Sequence, residues 1–267
     1  MNDIRIIDTH CHLDFNELKT RLDEVIKDAK INNVTDMVTI STNLSRIETI
    51  REISEKYEEI FFTVGVHPNE AHKDKQFDDY HFIKNYSKHE KCVGIGEGGL
   101  DYYYNKKYME LQKRSLEVQI SVARSANLPM IIHSRDADND MIEIIKSEYK
   151  NGPFKAILHC YSSGEELAYC GLDLDFFISF SGILTFNSAK NIQKLAKNIP
   201  LNKILVETDS PYLAPTPVRG SVNEPKNCIH TAQFLSKLRG VNFLELSETL
   251  YKNSLSVYDK IKIWKNK

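Results

Sequence analysis

The stretch RIIDTHCHLDF, residues 5–15, runs from apolar β-branched side chains directly into two histidines, His10 and His12. Side chains alternate between the two faces of a strand, so both imidazoles point one way and Cys11 points the other way. Two imidazoles on one face offer two ligands for a metal ion, although such a pair alone is also common at capping and surface positions. The stretch therefore predicts a buried strand that ends at a functional site.

Seven further apolar runs follow this first strand, and amphipathic stretches of helical pattern lie between them. The eight predicted strands are residues 4–8, 36–41, 61–66, 92–97, 129–133, 155–160, 176–181 and 203–208. Buried strands that alternate with helices are typical of parallel β–α units, and eight units in about 250 residues predict an α/β fold, a (β/α)8 TIM barrel. The pattern after the eighth strand predicts an extra C-terminal helix. An open doubly wound sheet is the alternative, but its glycine-rich phosphate-binding motifs are absent from the sequence.

The composition is that of an ordinary globular protein, with 41% hydrophobic and 27% charged residues among 267. This length fits one TIM-barrel domain, residues 1–267. A formal net charge of −2 excludes a global basic field, so a phosphate-bearing partner has to be held locally by basic side chains or by metal. The five scattered cysteines form no C-x-x-C pair, and no signal or membrane-spanning segment is evident. These features predict a reduced, cytoplasmic protein with neither a membrane association nor an obligate protein partner.

Ionisable residues collect at the predicted strand ends, where a TIM barrel places its catalytic groups. Six of them offer imidazole or carboxylate ligands at one rim: His10, His12, Glu97, His133, His159 and Asp209. Six ligands are too many for one four-coordinate zinc with an open position, but they suit two divalent ions about 3.5–4 Å apart. Glu97 follows the central strand of this set and is predicted to bridge the two ions. Six converging ionisable groups would be costly to bury without such ions.

Several motifs, in order along the chain, resemble those of one known family. DTHCHLD, GVHPNEA, GEGGLDYY, IIHSRDA, LHCYSSG, ISFSGILTF, VETDSPYLAP and NEP, between about residue 6 and residue 225, are similar to the signatures of the TatD family of metal-dependent deoxyribonucleases. The resemblance implies a barrel of the metallo-dependent hydrolase type and the same six ligands. It also implies DNA as substrate, with nucleotides removed 3′ to 5′ and single strands preferred. Gly98, Ser163 and Val222 depart from the usual family pattern. Gly98 is expected to loosen the turn that carries Glu97, Ser163 to alter the loop behind His159, and Val222 to remove one possible phosphate contact.

The predicted mechanism is hydrolysis of a phosphodiester bond by a water molecule that two divalent ions activate. Asp209 is the candidate base that orients this water and takes its proton, and Glu97 is the bridging carboxylate. His67, Tyr102 and Arg135 are placed to donate hydrogen bonds to a phosphate oxygen, and Arg135 is favoured because its planar guanidinium matches phosphate geometry. The sequence leaves the identity of the ions open between zinc, magnesium and manganese.

Other functions remain open on the sequence alone. A binuclear amidohydrolase or esterase would act on a small substrate, but such barrels often carry a strand-four lysine, and here Glu97 ends strand four with no lysine before Lys106. An aminoacyl-tRNA deacylase would use the same hydrolytic core on an ester. A protein with a purely structural metal is disfavoured, because structural zinc sites are closed by four protein ligands. The run Tyr102–Tyr104 predicts either a stacking platform for bases or a lid over the barrel.

Overall fold

Eight parallel strands form the centre of the fold in the computed structural model, which describes residues 4–104 and 106–267. The strands are β1 (Ile6–Cys11), β2 (Val34–Thr39), β3 (Ile60–Val64), β4 (Cys92–Asp101), β5 (Met130–Arg135), β6 (Ala156–Leu158), β7 (Phe177–Phe180) and β8 (Ile204–Val206). Each strand pairs with the next one along the chain, in parallel. The predicted (β/α)8 TIM barrel is confirmed. The sequential strand order excludes the doubly wound alternative, in which the order reverses at a switch point.

Helices follow the strands and cover the outside of the barrel. They are α1 (Asn16–Lys19), α2 (Leu22–Ile31), α3 (Ile47–Lys56), α4 (Tyr80–Tyr86), α5 (Met109–Ala126), α6 (Asp138–Lys150), α7 (Glu165–Asp173), α8 (Lys190–Asn198), α9 (Cys228–Arg239), α10 (Phe243–Val257) and α11 (Asp259–Lys265). In α3, for example, Ile47, Ile50 and Ile53 are buried on one face, which is the pattern that docks a surface helix on a core. Within the described ranges, no helix is both long and apolar enough to cross a lipid bilayer.

The C-terminal helices close one end of the barrel. A ring of buried apolar side chains takes one residue from the early part of most strands, such as Ile7, Phe61 and Ile131. Such a ring is an interior layer of a barrel. Val257, Tyr258 and Ile261 pack against this layer, and the Tyr258 hydroxyl donates to the carbonyl of Thr9 at 3.2 Å. The predicted extra helix therefore plugs the N-terminal mouth and leaves the C-terminal mouth open. That residues 1–267 act as one domain stays a prediction.

The barrel closes between β1 and the chain that follows β8. The amide of Asp209 donates to the carbonyl of His10 at 2.9 Å, and the amide of His12 donates to the carbonyl of Ser210 at 2.8 Å. The carboxylate of Asp8 accepts from the amide and the hydroxyl of Thr208 at 2.9 and 2.6 Å. The acid that precedes the two histidines thus ties the first strand to the last, and this closure brings Asp209 next to His10 and His12.

Candidate metal centre

The six predicted ligand side chains converge at the open end of the barrel, and Glu97 lies in the middle of them. Its carboxylate oxygens lie 2.8 Å from Nε2 of His159, 3.7 Å from Nε2 of His10, 3.8 Å from Nε2 of His12 and 3.8 Å from Nδ1 of His133. The carboxylate is nearly fully buried. A carboxylate that faces four imidazoles is in the position that a bridging ligand requires.

Asp209 completes the cluster on the other side of the first two histidines. Its Oδ1 lies 3.6 Å from Nε2 of His10 and 3.3 Å from Nε2 of His12. The backbone of Asp209 has a φ of 54°, in the left-handed region that aspartate and asparagine tolerate better than most residues. Five of the six donor residues fall into two compact groups that share His10: one with Glu97 and His159, and one with His12 and Asp209. His133 groups instead with His67 and Asp101. The structure brings all six residues together, and their role as ligands stays a prediction.

The ring of His10 gives the clearest sign that this site is built for a cation. The side chain is 0% exposed, and neither ring nitrogen has a hydrogen-bond partner in the described part of the chain. Burial, with the charge of His159, lowers the pKa of His10 well below its usual value, so the ring is neutral at neutral pH. A buried polar atom without a partner is costly, and a cation between Nε2 of His10 and the two carboxylates would give that nitrogen a partner.

The spacing of the donor atoms also fits a divalent ion. Ligands held about 2.1 Å from a tetrahedral ion lie about 3.4 Å from one another. Apart from the closer pair of Glu97 and His159, the nitrogen–oxygen separations in the cluster are 3.3–3.8 Å. Imidazole nitrogens and carboxylate oxygens are ligands that zinc, manganese and iron accept.

Hydrogen bonds outside the cluster set the tautomers of two histidines. Nδ1 of His12 lies 3.3 Å from the carbonyl of Ile40, which can only accept, so Nδ1 carries a proton, and Nε2 is the nitrogen that presents a lone pair once it has lost its own proton. Nδ1 of His159 lies 3.3 Å from Oε1 of Glu207, with the same consequence for its Nε2. Partners of this kind orient metal-binding histidines and raise their basicity.

Charges within the cluster shift its proton affinities in opposite directions. Burial alone would lower the pKa of His12, but the hydrogen bond to Asp209 and the charge of Glu97 outweigh it and raise that pKa to about 9. Burial alone would raise the pKa of Glu97, but the surrounding imidazoles hold it well below its usual value. The metal-free centre therefore holds an ionised carboxylate beside a protonated His12, and a bound cation has to displace that proton.

Asp101 supports His133, another of the six predicted ligands, from the side away from Glu97. Its Oδ2 lies 3.4 Å from Nε2 of His133 and accepts from the side-chain amide of Asn69 at 2.9 Å. Burial alone would raise the pKa of Asp101, but these two partners and the amide of Tyr103 lower it to about 2. Asp101 is thus an anion that leaves Nδ1 of His133 to face Glu97.

The turn that carries Glu97 depends on close backbone packing. Strand β4 continues past the predicted end at residue 97 as far as Asp101, and Gly99 there pairs with His133. A Cβ on Gly99 would lie 1.9 Å from the carbonyl oxygen of His133, so only glycine fits. Gly98, the departure expected to loosen this turn, faces Gln119, which bonds both the amide and the carbonyl of Val66 at 3.1 Å. The side chain of Gln119 therefore fills the space beside Gly98, and a looser turn stays a prediction.

His67, predicted to bind substrate, lies beside His133 with its ring centroid 4.6 Å away. Its Nδ1 accepts from the amide of Asn69 at 3.0 Å, and burial lowers its pKa to about 4. The neutral ring must therefore carry its proton on Nε2. This tautomer makes His67 a hydrogen-bond donor. Since both ring nitrogens are then in use, His67 has no lone pair for a third metal ion at the group of His67, Asp101 and His133.

Tyr102 and Arg135, also predicted to bind substrate, line the same cavity but have partners that the sequence did not reveal. Tyr102 is 7% exposed, and its hydroxyl donates to Oδ2 of Asp140 at 2.7 Å. This contact has to break before Tyr102 can donate to a substrate, contrary to the expectation of a free donor. The guanidinium of Arg135 stacks on the ring of Tyr103 at 3.8 Å. The contact of either residue with a substrate stays a prediction.

The six predicted ligands, called the metal-ligand cluster below, lie at the base of a cavity of about 1570 Å³. Typical sites for small ligands are about 300–1,000 Å³, so this cavity has room for more than a small molecule.

Of the other two departures from the family pattern, Ser163 lines the cavity and donates to the carbonyl of Ser134 at 3.3 Å. Val222 is 48% exposed and does not line it, and the loss of a phosphate contact at this position stays a prediction.

Three residues around the cluster have roles that the sequence did not indicate. Asp101 and Glu207 hold His133 and His159, as described above, and Phe15 stacks on His12 with centroids 4.8 Å apart. Because these three residues lie beside the strand-end motifs, the sequence indicates only that they are near the site. Only the fold shows which ring each one contacts.

Glu207→Gln is expected to weaken metal binding about 10–100-fold, because the amide is a poorer acceptor for Nδ1–H of His159 than the carboxylate is. Competition with a chromogenic chelator measures this affinity. Glu165→Gln, on the exposed start of α7 where the side chain pairs with Lys194, is the matched control and is expected to bind metal as the wild type does. Equal affinities for the two variants would contradict a supporting role for Glu207.

The chain is similar to known proteins in both sequence and fold. Residues 7–259 match the family described as TatD related DNase. The chain is 36% identical over 253 residues to the uncharacterized metal-dependent hydrolase YabD of Bacillus subtilis (strain 168), covering 95% of this chain and 98% of that protein. It is 36% identical over 251 residues to the uncharacterized metal-dependent hydrolase YcfH of Escherichia coli (strain K12), covering 93% of each. Its fold matches the crystal structure of YjjV, a TatD homolog from Escherichia coli K12, with a TM-score of 0.89 at 24% identity over 96% of this chain and 98% of that one.

Proposed function

The chain belongs to the TatD family of metal-dependent hydrolases, and on that basis we propose that it is a deoxyribonuclease that removes nucleotides from DNA in the 3′ to 5′ direction, with single strands preferred. The observation that carries the proposal is the convergence of four imidazoles and two carboxylates on a cavity of about 1570 Å³. A site of this size suits a polymer better than a small amide, lactone or ester.

We further propose two divalent ions per chain, either zinc, magnesium or manganese. His10, His12 and Asp209 would hold one ion, His133 and His159 the other, and Glu97 would bridge them. The compact group of His10, His12 and Asp209 supports the first position, and the contacts of Glu97 with His133 and His159 support the second. Bound divalent cations supply Lewis-acid activation of water and neutralise charge that develops on the phosphate.

Three side chains are assigned roles in proton transfer and phosphate binding. Asp209, 15% exposed at the edge of the cluster, orients the attacking water and takes its proton. His67 donates from Nε2 to a nonbridging phosphate oxygen, which its tautomer supports. Arg135 offers the edge of its guanidinium to phosphate.

The amidohydrolase alternative has less support. The strand-four position holds Glu97, and no lysine is among the described residues that line the cavity, so a carboxylated lysine bridge has no candidate. The ester-cleaving alternatives, including an aminoacyl-tRNA deacylase, are separated from the nuclease by experiment. We also propose a cytoplasmic location, which the five free cysteines support.

The test is digestion of 5′-labelled single-stranded DNA, double-stranded DNA and RNA by the metal-loaded protein, beside aminoacyl-tRNA and small esters. The proposal predicts a ladder that shortens single-stranded DNA from its 3′ end, that stops with chelator and that resumes with added metal. Hydrolysis of an ester or of aminoacyl-tRNA, with all nucleic acids left intact under every ion, would overturn it.

A further inference from the structure

Two aromatic rings stand exposed at the rim of the cavity. Tyr103 and Tyr104 are 58% and 68% exposed, and their rings meet edge to face with centroids 4.9 Å apart. Both line the cavity that holds the metal-ligand cluster. Their neighbour Tyr102 is buried, so the three successive tyrosines differ in what they can contact. Exposed aromatic surface beside a reaction centre costs free energy in water and is typical of a binding site.

An arginine without an acidic partner belongs to the same cluster. The guanidinium of Arg135 lies 3.8 Å from the ring centroid of Tyr103 and 5.0 Å from that of Tyr104. In the residues that the structure describes, no carboxylate lies within ion-pair distance of Arg135. Of the acids that line the cavity, Asp140 is engaged by Lys113 at 2.9 Å and Asp101 by His133 at 3.4 Å, and Asp136 is exposed and forms no ion pair with Arg135. A stacked guanidinium keeps its N–H edge free, so this cation is available to an anionic ligand.

The position of this cluster relative to the predicted ligands is fixed by β5. His133 and Arg135 lie on the same face of the strand, two residues apart, so Arg135 is about 6.6 Å further toward the rim. Asp101 also accepts from the amide of Tyr103 at 3.0 Å, and so it holds the tyrosine turn and His133 in a fixed relation.

We propose that Tyr103, Tyr104 and Arg135 form a subsite for the nucleotide next to the bond that is cleaved, an inference that rests on the proposed deoxyribonuclease function. The base stacks on the exposed ring of Tyr104, and the phosphate of that nucleotide contacts the N–H edge of Arg135. Tyr103 holds the guanidinium in place. Bases in a duplex are paired and stacked on each other, so the subsite selects single strands.

The test compares Tyr104→Ala with Tyr169→Ala, a matched removal of an exposed tyrosine (46%) on the outer helix α7. Loss of one base-stacking contact is expected to raise KM for single-stranded DNA about 5- to 100-fold for Tyr104→Ala, with kcat within about twofold of the wild type. Tyr104→Phe keeps the ring and is expected to restore the wild-type KM. Tyr169→Ala is expected to leave both constants unchanged.

Arg135→Gln provides an independent measurement. Loss of one phosphate contact is expected to reduce the slope of log KM against log salt concentration by about 0.7. The subsite is overturned if Tyr104→Ala and Tyr169→Ala have the same KM for DNA. It is also overturned if Tyr104→Ala lowers kcat/KM equally for DNA and for methyl p-nitrophenyl phosphate, which has no base. If the wild-type protein cleaves no phosphodiester at all, the proposed function fails instead.

Discussion

Asp209→Asn is expected to lower kcat for DNA hydrolysis about 10²- to 10⁴-fold, because the amide cannot take the proton of the attacking water. The substitution keeps the size of the side chain and its Oδ1 oxygen. It also keeps the left-handed backbone, which asparagine tolerates as well as aspartate does. Metal content is therefore expected to stay near the wild-type value. Single-turnover kinetics on end-labelled DNA, with metal analysis of the same sample, measure both quantities.

Asp136→Asn is the matched control for this substitution. Asp136 also lines the cavity and also has a left-handed backbone, with a φ of 53° against 54° for Asp209. It is exposed and lies outside the metal-ligand cluster, so its variant is expected to turn over DNA at the wild-type rate. Near-normal turnover by Asp209→Asn would refute the assignment of the base.

Glu97→Gln is expected to abolish activity by removing the ions themselves. The carboxylate is the one anion that all four imidazoles of the cluster face, and it is 3% exposed, so solvent cannot replace it. Loss of metal assistance worth several kcal/mol corresponds to a decrease in kcat/KM of about 10³-fold or more. Metal analysis after gel filtration is expected to find less than half of the wild-type content.

Glu70→Gln is the control for this second variant. Glu70 lines the same cavity but pairs with Lys73 at 2.7 Å and takes no part in the cluster, so its variant is expected to retain both metal and activity. Thermal unfolding of the metal-free proteins checks that Glu97→Gln still folds. A folded Glu97→Gln variant with full metal content would show that Glu97 is not a bridging ligand.

Most of the barrel could be predicted from the sequence because its strands are short apolar runs that solvent never reaches. The six residues of the cluster could be found for a related reason, since each is a polar residue directly after or within such a run. His10 and His12 in one strand, for example, need only the alternation of side chains to be placed together.

What the sequence could not supply are contacts that only the closed barrel creates. The local sequence pattern does not indicate that Asp8 accepts hydrogen bonds from Thr208, or that Glu207 orients the ring of His159, because these partners lie far apart along the chain. The tyrosine run shows the same limit. Tyr102, Tyr103 and Tyr104 are identical in the sequence, yet the hydroxyl of the first bonds Asp140 while the rings of the other two stand in solvent.

The most direct test of the metal centre is anomalous diffraction from crystals grown with manganese. Two anomalous peaks are expected, one between His10, His12 and Asp209 and one between His133 and His159, with Glu97 contacting both. Crystals in which manganese is absent from this cluster, or bound only at other surfaces of the molecule, would contradict a two-metal centre at these residues.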